Sequence, residues 1–383
     1  MTVKDRGSRA MRQLLRRFHC TTVPACVIAW LASSCQVGRD VHSGRDSAIE
    51  RSPAAFEDSA IVRLDLQPGR VLTLGDATSS PASVGASAAS EFGLALLDYS
   101  ARVVRVYEWS GRERYHVQYG PTAEDAPSHA NAIALAGDTL LIADSDPSRG
   151  VWLFGRNGRM IRRVSLATAW PVTSIARIRG GFAIGTTALD EAIVADSAQM
   201  VVVFDDSGKQ MGAGCKPSLV YGESIRRRGM FAIFRATDVA VVDNDVYCKQ
   251  PVESRVQQLD VVGRVVGETV NTLSFYRRPP DVRGSMDLAS IHDFRKRFTE
   301  HHRLFATETS LVSVFASFDS VAQHDRYFVW QCDRSDFSRC RGYASSLRPL
   351  GMRGADSIAL LMRQRSPQAP LEIAIRFVPN RVP

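Results

Sequence analysis

A pattern that the chain repeats along its length constrains its fold more than any other feature. A short apolar strand is followed by a polar turn, a second strand of the form (V/I)xV(F/Y), a glycine turn and a third, more polar strand. The unit runs through FGLALLDYSARVVRVYEWSGRERYHVQ (Phe92 to Gln118) and again through DTLLIADSDPSRGVWLFGRNGRMIRRVSL (Asp138 to Leu166). It returns with a longer first hairpin from Gly180 to Gly214, and a fourth copy spans Asp238 to Val270. Looser copies occupy Ser310 to Cys332 and Asp356 to Val378, and the strand pair IVRLDLQPGRVLTLG (Ile61 to Gly75) precedes them all. The stretch from Ala77 to Ser90, rich in Ser, Ala, Gly and Pro with little periodicity, reads as a loop.

Turn chemistry makes these units hairpins. Ser110-Gly111, Asn157-Gly158, Ser207-Gly208 and Val262-Gly263 each stand between two β-rich runs, where glycine accepts the positive φ of a tight turn or bulge. The four glycines are 47, 50 and 55 residues apart, the size of one four-stranded propeller blade. A lone meander cannot cover its own apolar faces, whereas blades packed around an axis cover one another and closing the ring removes exposed edges. The expected fold is therefore all-β: a six-bladed β-propeller of four-stranded antiparallel blades over 59–383, with seven blades as the alternative. The segment from Ile61 to Gly75 is expected to complete the sheet begun at the C-terminal end, clasping the ring.

The first residues read as an export signal. Within 1–34, Lys4, Arg6, Arg9, Arg12, Arg16 and Arg17 stand against Asp5, so this segment carries +5 of the formal net charge of +8 and leaves +3 for the rest. That balance argues against a nucleic-acid partner. The apolar run VPACVIAWLA (Val23 to Ala32) is too short to span a bilayer as a helix, which needs about twenty residues. LASSC resembles the lipobox of bacterial lipoproteins, with Cys35 as the lipidated residue; ordinary cleavage after the Ala-Ser-Ser run is the alternative. Residues 35–58 read as a flexible tether. The expected location is the bacterial cell envelope, periplasmic or outer surface, with the chain held to a membrane by an N-terminal lipid anchor.

The strand ending in Asp, the aromatic strand and the glycine turn (LLDYSARVVRVYEWSG, LLIADSDPSRGVWLFGRNG) resemble NHL-type six-bladed propellers, in particular the propeller lipoproteins of bacterial envelopes. SHANAIALAGD (Ser128 to Asp138) and RATDVAVVDND (Arg235 to Asp245) keep the skeleton of the signal that introduces each blade in that family. The resemblance implies that any ligand sits at the mouth of the central channel. Some relatives are lyases with a His-ligated metal there, and some similar propellers are lactonases.

Of seven cysteines, Cys20, Cys26 and Cys35 lie in or at the end of the signal, leaving Cys215, Cys248, Cys332 and Cys340. An even remainder in an exported chain suggests disulfides. Cys332 and Cys340 are close enough to staple a hairpin, and Cys215 with Cys248 follows by elimination; four small buried hydrophobes are the alternative.

The remaining candidates for chemistry are few. A helical insertion over about 285–303 is expected from the recurrence of Ile291, Phe294, Phe298 and Leu304, capped by Ser285 or Asp287, as a lid packed by its aromatic residues. His292, His301 and His302 raise a metal reading that their spacing on a helix does not favour. Arg226, Arg227 and Arg228 form a possible anion-binding loop, with a solvated loop as the plainer reading. Asp98, Asp144, Asp205 and Asp206 suggest either calcium or carboxylates that fix hairpins by accepting backbone N–H bonds. No GxSxG elbow, HExxH or P-loop occurs, so no catalytic residue, metal or cofactor is assigned. The expected function is a non-catalytic binding module for a protein, peptide or glycan; the alternative is a metal-dependent lyase or hydrolase that uses the central channel.

Overall fold

The computed structural model describes residues 61–75, 81, 83–121, 126–146, 150–166, 171–187, 199–216, 236–270, 276–277, 293–337, 339–362, 364 and 369–378. By its internal contacts the chain divides into 1–42 and 43–383. The expected signal, the tether and Cys35 lie outside the described residues, as do Arg226, Arg227, Arg228 and His292. No described helix is long and apolar enough to cross a membrane.

Six sheets of four antiparallel strands carry the fold. Blade 1 is β3 (Val84–Ser90), β4 (Gly93–Asp98), β5 (Val103–Tyr107) and β6 (Glu113–Gln118). Blade 2 is β7 (Ala130–Ala136), β8 (Thr139–Asp144), β9 (Val151–Phe154) and β10 (Met160–Val164). Blade 3 comprises β11 (Val172–Ile178), β12 (Gly181–Thr186), β13 (Val201–Asp205) and β14 (Gln210–Gly214). Blade 4 comprises β15 (Asp238–Val242), β16 (Asp245–Lys249), β17 (Arg255–Leu259) and β18 (Val265–Val270). Blade 5 holds β19 (Glu300–Ala306), β20 (Ser310–Asp319), β21 (His324–Asp333) and β22 (Cys340–Ser345). Blade 6 takes β23 (Arg348–Arg353), β24 (Ser357–Leu361) and β25 (Leu371–Phe377), with β2 (Gly69–Leu74) as its outer strand.

The first strands of the blades, β3, β7, β11, β15, β19 and β23, touch in that order, and β23 returns to β3, so the ring is closed. The core is divided accordingly, with one buried apolar cluster at each of the six blade interfaces. Alternation along a strand explains the division. On β4, Leu94 and Leu96 face blade 6 while Ala95 and Leu97 face blade 2, so an unbroken apolar run is buried on both sides. Each such fully buried leucine contributes about 2 kcal/mol.

The clasp is present and has two parts. β2 pairs antiparallel with β25 and completes blade 6. The residues before it diverge through a 3-10 turn at Leu64–Leu66, and β1 (Val62–Arg63) pairs parallel with β22 at the outer edge of blade 5. Ile61 to Gly75 is thus not a strand pair; it locks two neighbouring blades, with Leu64 buried in the cluster between them.

Two further readings are corrected. The Ser/Ala-rich stretch expected as a loop contains β3, the innermost strand of blade 1. Strands crowd together at the axis, where small side chains fit: a Cβ on Gly85 would lie 2.0 Å from the ring of Tyr99. The helical insertion expected over about 285–303 is corrected in its described part, 293–303, while 285–292 lie outside the described residues. Among the described residues of that stretch only 293–295 are helical, and His301 and His302 belong to β19. Phe294 and Phe298 are buried with ring centroids 5.2 Å apart, so the aromatic packing inferred for that stretch is present.

The repeated glycine turns serve two purposes. Gly111 and Gly208 have φ of +93° and +86°. Their missing Cβ atoms also admit the preceding blade, because an added Cβ would fall 2.5 Å from the Thr73 carbonyl oxygen and 2.4 Å from that of Ser165. Both disulfides are formed. Cys215 to Cys248 ties the end of β14 on blade 3 to the end of β16 on blade 4, and Cys332 to Cys340 staples β21 to β22.

Candidate functional site

The inner strands begin at one mouth of the channel, and there the fold departs from regular ladders. Five of the six carry a β-bulge: between Val84 and Ser87, Ala130 and Ala132, Val172 and Ser174, His301 and Arg303, and Pro349 and Gly351. Only β15 pairs without interruption. A bulge inserts an unpaired residue and re-aims its side chain. Asn131, Thr173 and His302 are such inserted residues, and each makes a hydrogen bond to the next blade.

These bonds form a closed circuit. Arg348 on blade 6 donates from Nη1 and Nη2 to the carbonyl oxygens of Val84 and Gly85 on blade 1, at 3.0 and 2.7 Å. Tyr99 Oη on blade 1 donates to Asn131 Oδ1 at 3.3 Å, and Asn131 Nδ2 donates to the Val172 carbonyl of blade 3 at 2.6 Å. Thr173 Oγ1 and Ser174 Oγ both donate to the carbonyl of Thr237, the residue that leads into blade 4. The backbone N–H of Leu304 on blade 5 donates to Asp238 Oδ2 at 2.5 Å. Arg348 Nε closes the circuit on His302 Nε2 at 3.1 Å. Every blade interface is bridged at this level.

The electrostatics follow from this crowding. Burial, followed by the charges of Arg348, Arg303 and Arg295, holds the His302 imidazole well below its usual range, in keeping with Nε2 acting as an acceptor. Burial pushes the Tyr99 phenol up to about 12 against the opposing pull of Arg303 and Arg348. Asp238 is raised by burial, although Arg303 and two backbone N–H groups oppose the rise.

A second group lies between blades 4 and 5. Lys249, at the end of β16, is 1% exposed; its Nζ has no hydrogen-bond partner and sits 4.1 Å from the centroid of the Phe315 ring. His301 is 4% exposed, packs edge-on against the same ring and leaves Nε2 without a partner. Burial draws the Lys249 ammonium down to about 7, with Glu253 pulling the other way. His301 is held well below its usual value by burial, with Lys249 next in effect.

The carboxylates weighed for calcium mainly fix turns. Asp98 Oδ1 accepts from the N–H groups of Ser100 and Ala101, Asp144 from those of Ser128, His129 and Asp146, and Asp205 from those of Ser207 and Lys209. Asp206 pairs with Arg162 and Arg177. Among the described residues no three His, Cys, Asp or Glu side chains come together as a metal site. The structure therefore separates the residues singled out in the sequence: His302 joins the channel circuit, His301 the buried group, and the aspartates the turns. Tyr99, Asn131, Thr173, Asp238, Arg303 and Arg348 were not singled out. The signal that could have found some of them lies in SHANAIALA and RATDVAV, where a polar residue enters a strand of small apolar ones.

No family model matches the sequence, and no curated protein matches it. Solved structures share the fold. An exported-protein candidate of Bacteroides fragilis superposes with a TM-score of 0.55 at 10% identity, covering 83% of this chain and 97% of the other. A member of the DUF4221 family from Bacteroides vulgatus gives 0.52 at 9% identity, covering 83% and 95%.

Proposed function

We propose that this chain is an exported propeller that acts as a non-catalytic binding module, taking a protein, peptide or glycan at the face where the bulged inner strands begin. The observation that carries this reading is Arg303. It stands on β19 within the bonded circuit, is half-buried, and has no side-chain hydrogen bond or ion pair among the described residues. A cation left over in a ring whose other members are occupied is a contact point for a ligand. The basic start, the short apolar run and LASSC support export, with Cys35 as the lipid anchor to a membrane of the envelope. The two disulfides fit an oxidising compartment. The NHL-like strand and turn pattern is consistent with this role.

The test is a screen of the purified protein against glycan and peptide arrays, with Arg303→Gln alongside. The expected result is a ligand class held by the wild type and lost in the variant. Ligands retained equally by both would place binding elsewhere and defeat the reading. The anchor is tested by labelling cells with a fatty-acid analogue, where Cys35→Ser should abolish incorporation.

A further inference from the structure

Arg303 is carried by β19, the innermost strand of blade 5, directly after its bulge. Blades 1 and 4 lie opposite each other in a closed ring of six, yet Tyr99 on the first and Asp238 on the second both feel its charge. Arg303 stands at the level where the circuit bridges the blades. Its chain neighbours are pinned to either flank, His302 to Arg348 of blade 6 and Leu304 to Asp238 of blade 4. The bulge at His302 sets the direction in which Arg303 leaves the strand.

Among the described residues no carboxylate forms an ion pair with Arg303, although Asp238 lies within reach of its charge. The two oxygens of Asp238 are taken by the backbone N–H groups of Val239 and Leu304. Glu300 is committed to Arg295 and Glu253 to Arg255. Arg348 extends its three nitrogens to two carbonyls and an imidazole.

We propose that Arg303 anchors a carboxylate-binding site at the channel mouth, where its guanidinium fork grips one carboxylate of the ligand. One free guanidinium balances one negative charge, and its two parallel N–H groups match the two oxygens of a carboxylate. A phosphate dianion would need a second free cation. This inference rests on the binding-module reading and adds the chemistry of the ligand.

The experiment follows the Arg303 Nε resonance of 15N-arginine-labelled protein, assigned with Arg303→Lys, during titration with acetate, acetamide and inorganic phosphate at constant ionic strength. Acetate should shift that resonance saturably and acetamide should not. Arg303→Gln, read by the acetate-induced rise in melting temperature, should bind acetate at least about tenfold more weakly, and Arg303→Lys should fall between. Arg353→Gln, whose side chain lies over Trp109, should bind acetate as the wild type does. The proposal is overturned by equal acetate binding in Arg303→Gln, by equal responses to acetamide and acetate, or by phosphate binding more tightly than acetate. An unmoved resonance up to about 0.1 M acetate, where screening becomes general, would overturn it as well. The outcomes are separable from those of the arrays. Array ligands that depend on the mouth but carry no carboxylate would sink this inference and keep the binding module. Acetate binding at Arg303 with no array ligand would keep the site and sink the broader reading.

Discussion

Arg348 donates from Nη2 to the carbonyl oxygen of Gly85 at 2.7 Å, joining positions 263 residues apart in the chain. The contact seals the last blade to the first. The strand clasp of β2 on β25 lies at the other edge of the same blade, so the ring is closed by side-chain bonds at its axis as well as by backbone pairing at its rim. The axis bond satisfies carbonyls that the bulge in β3 leaves without ladder partners, a state that is costly when buried.

Arg348→Met should therefore destabilise the fold by about 3 kcal/mol, the order expected when charge-assisted bonds to buried acceptors are lost. Arg348→Lys should recover only part, because one ammonium cannot reach two carbonyls and an imidazole together. Urea unfolding followed by tryptophan fluorescence measures this. A loss below about 1 kcal/mol would mean that the circuit does not help to hold the ring closed.

Cys215 and Cys248 enclose a loop with a sequence separation of 33, against 8 for Cys332 and Cys340. Loop-closure entropy assigns about 4 kcal/mol to the first and about 2.5 to the second. Replacing Cys215 and Cys248 together by serine should lower stability more than the same change at Cys332 and Cys340. The opposite ranking in chemical denaturation would contradict this account.

Strand periodicity made most of this architecture legible, and it is instructive where it stopped. The second and third strands of blades 1 to 3 are apolar runs buried on both faces, so LLIAD and VVVFD announced themselves. The innermost strands did not. VGASAAS must be small because the axis is crowded, and small polar-looking residues imitate a loop. The segment around His301 read as helical because its aromatic spacing, set by packing beneath a strand start, coincided with a helical period. The channel site was hidden for another reason: its members lie one per blade, and bulges that bring them together leave no mark in spacing. For the turn aspartates the sequence left calcium and backbone acceptance both open; Asp98, Asp144 and Asp205 accept backbone N–H groups, and Asp206 pairs with Arg162 and Arg177 instead.

Gly208 tests the double duty of the repeated turns. Gly208→Ala places a methyl group against the Ser165 carbonyl at a φ that L residues rarely adopt, and should cost about 1 to 3 kcal/mol. Its neighbour Ser207 is exposed, so Ser207→Ala should cost less than about 1 kcal/mol. Thermal melting of the two variants gives the comparison, and equal melting points would show that the turn does not depend on the glycine.

His301 governs part of the acid limb of stability. Its ring resists protonation in the fold, so below an ordinary imidazole pKa of about 6.5 the unfolded chain takes up a proton that the native state refuses. Stability is then lost as pH falls through that value. His301→Phe keeps the contact with Phe315 apolar and should reduce the loss between about pH 6.5 and 5 by about 1 kcal/mol per pH unit. His302 remains in the variant and preserves a residual slope of the same sign. Identical acid limbs for variant and wild type would show that His301 titrates as in the unfolded chain.

Lys249 acts in the opposite range. Its ammonium is buried against Phe315 with no hydrogen-bond partner, which lowers its pKa to about 7, while the unfolded residue keeps its proton up to about 10.4. Between those values the unfolded chain binds the extra proton, so stability rises with pH at up to about 1.4 kcal/mol per unit. Below pH 7 both states are protonated and the full penalty for burying the charge is in force. Lys249→Met fills the same space without a charge, and should be more stable than the wild type at pH 6, with the two curves converging as pH approaches 10. Urea denaturation of both proteins across that range reads the difference directly. Parallel curves would show that Lys249 reaches a partner or solvent in the folded protein and carries no burial penalty.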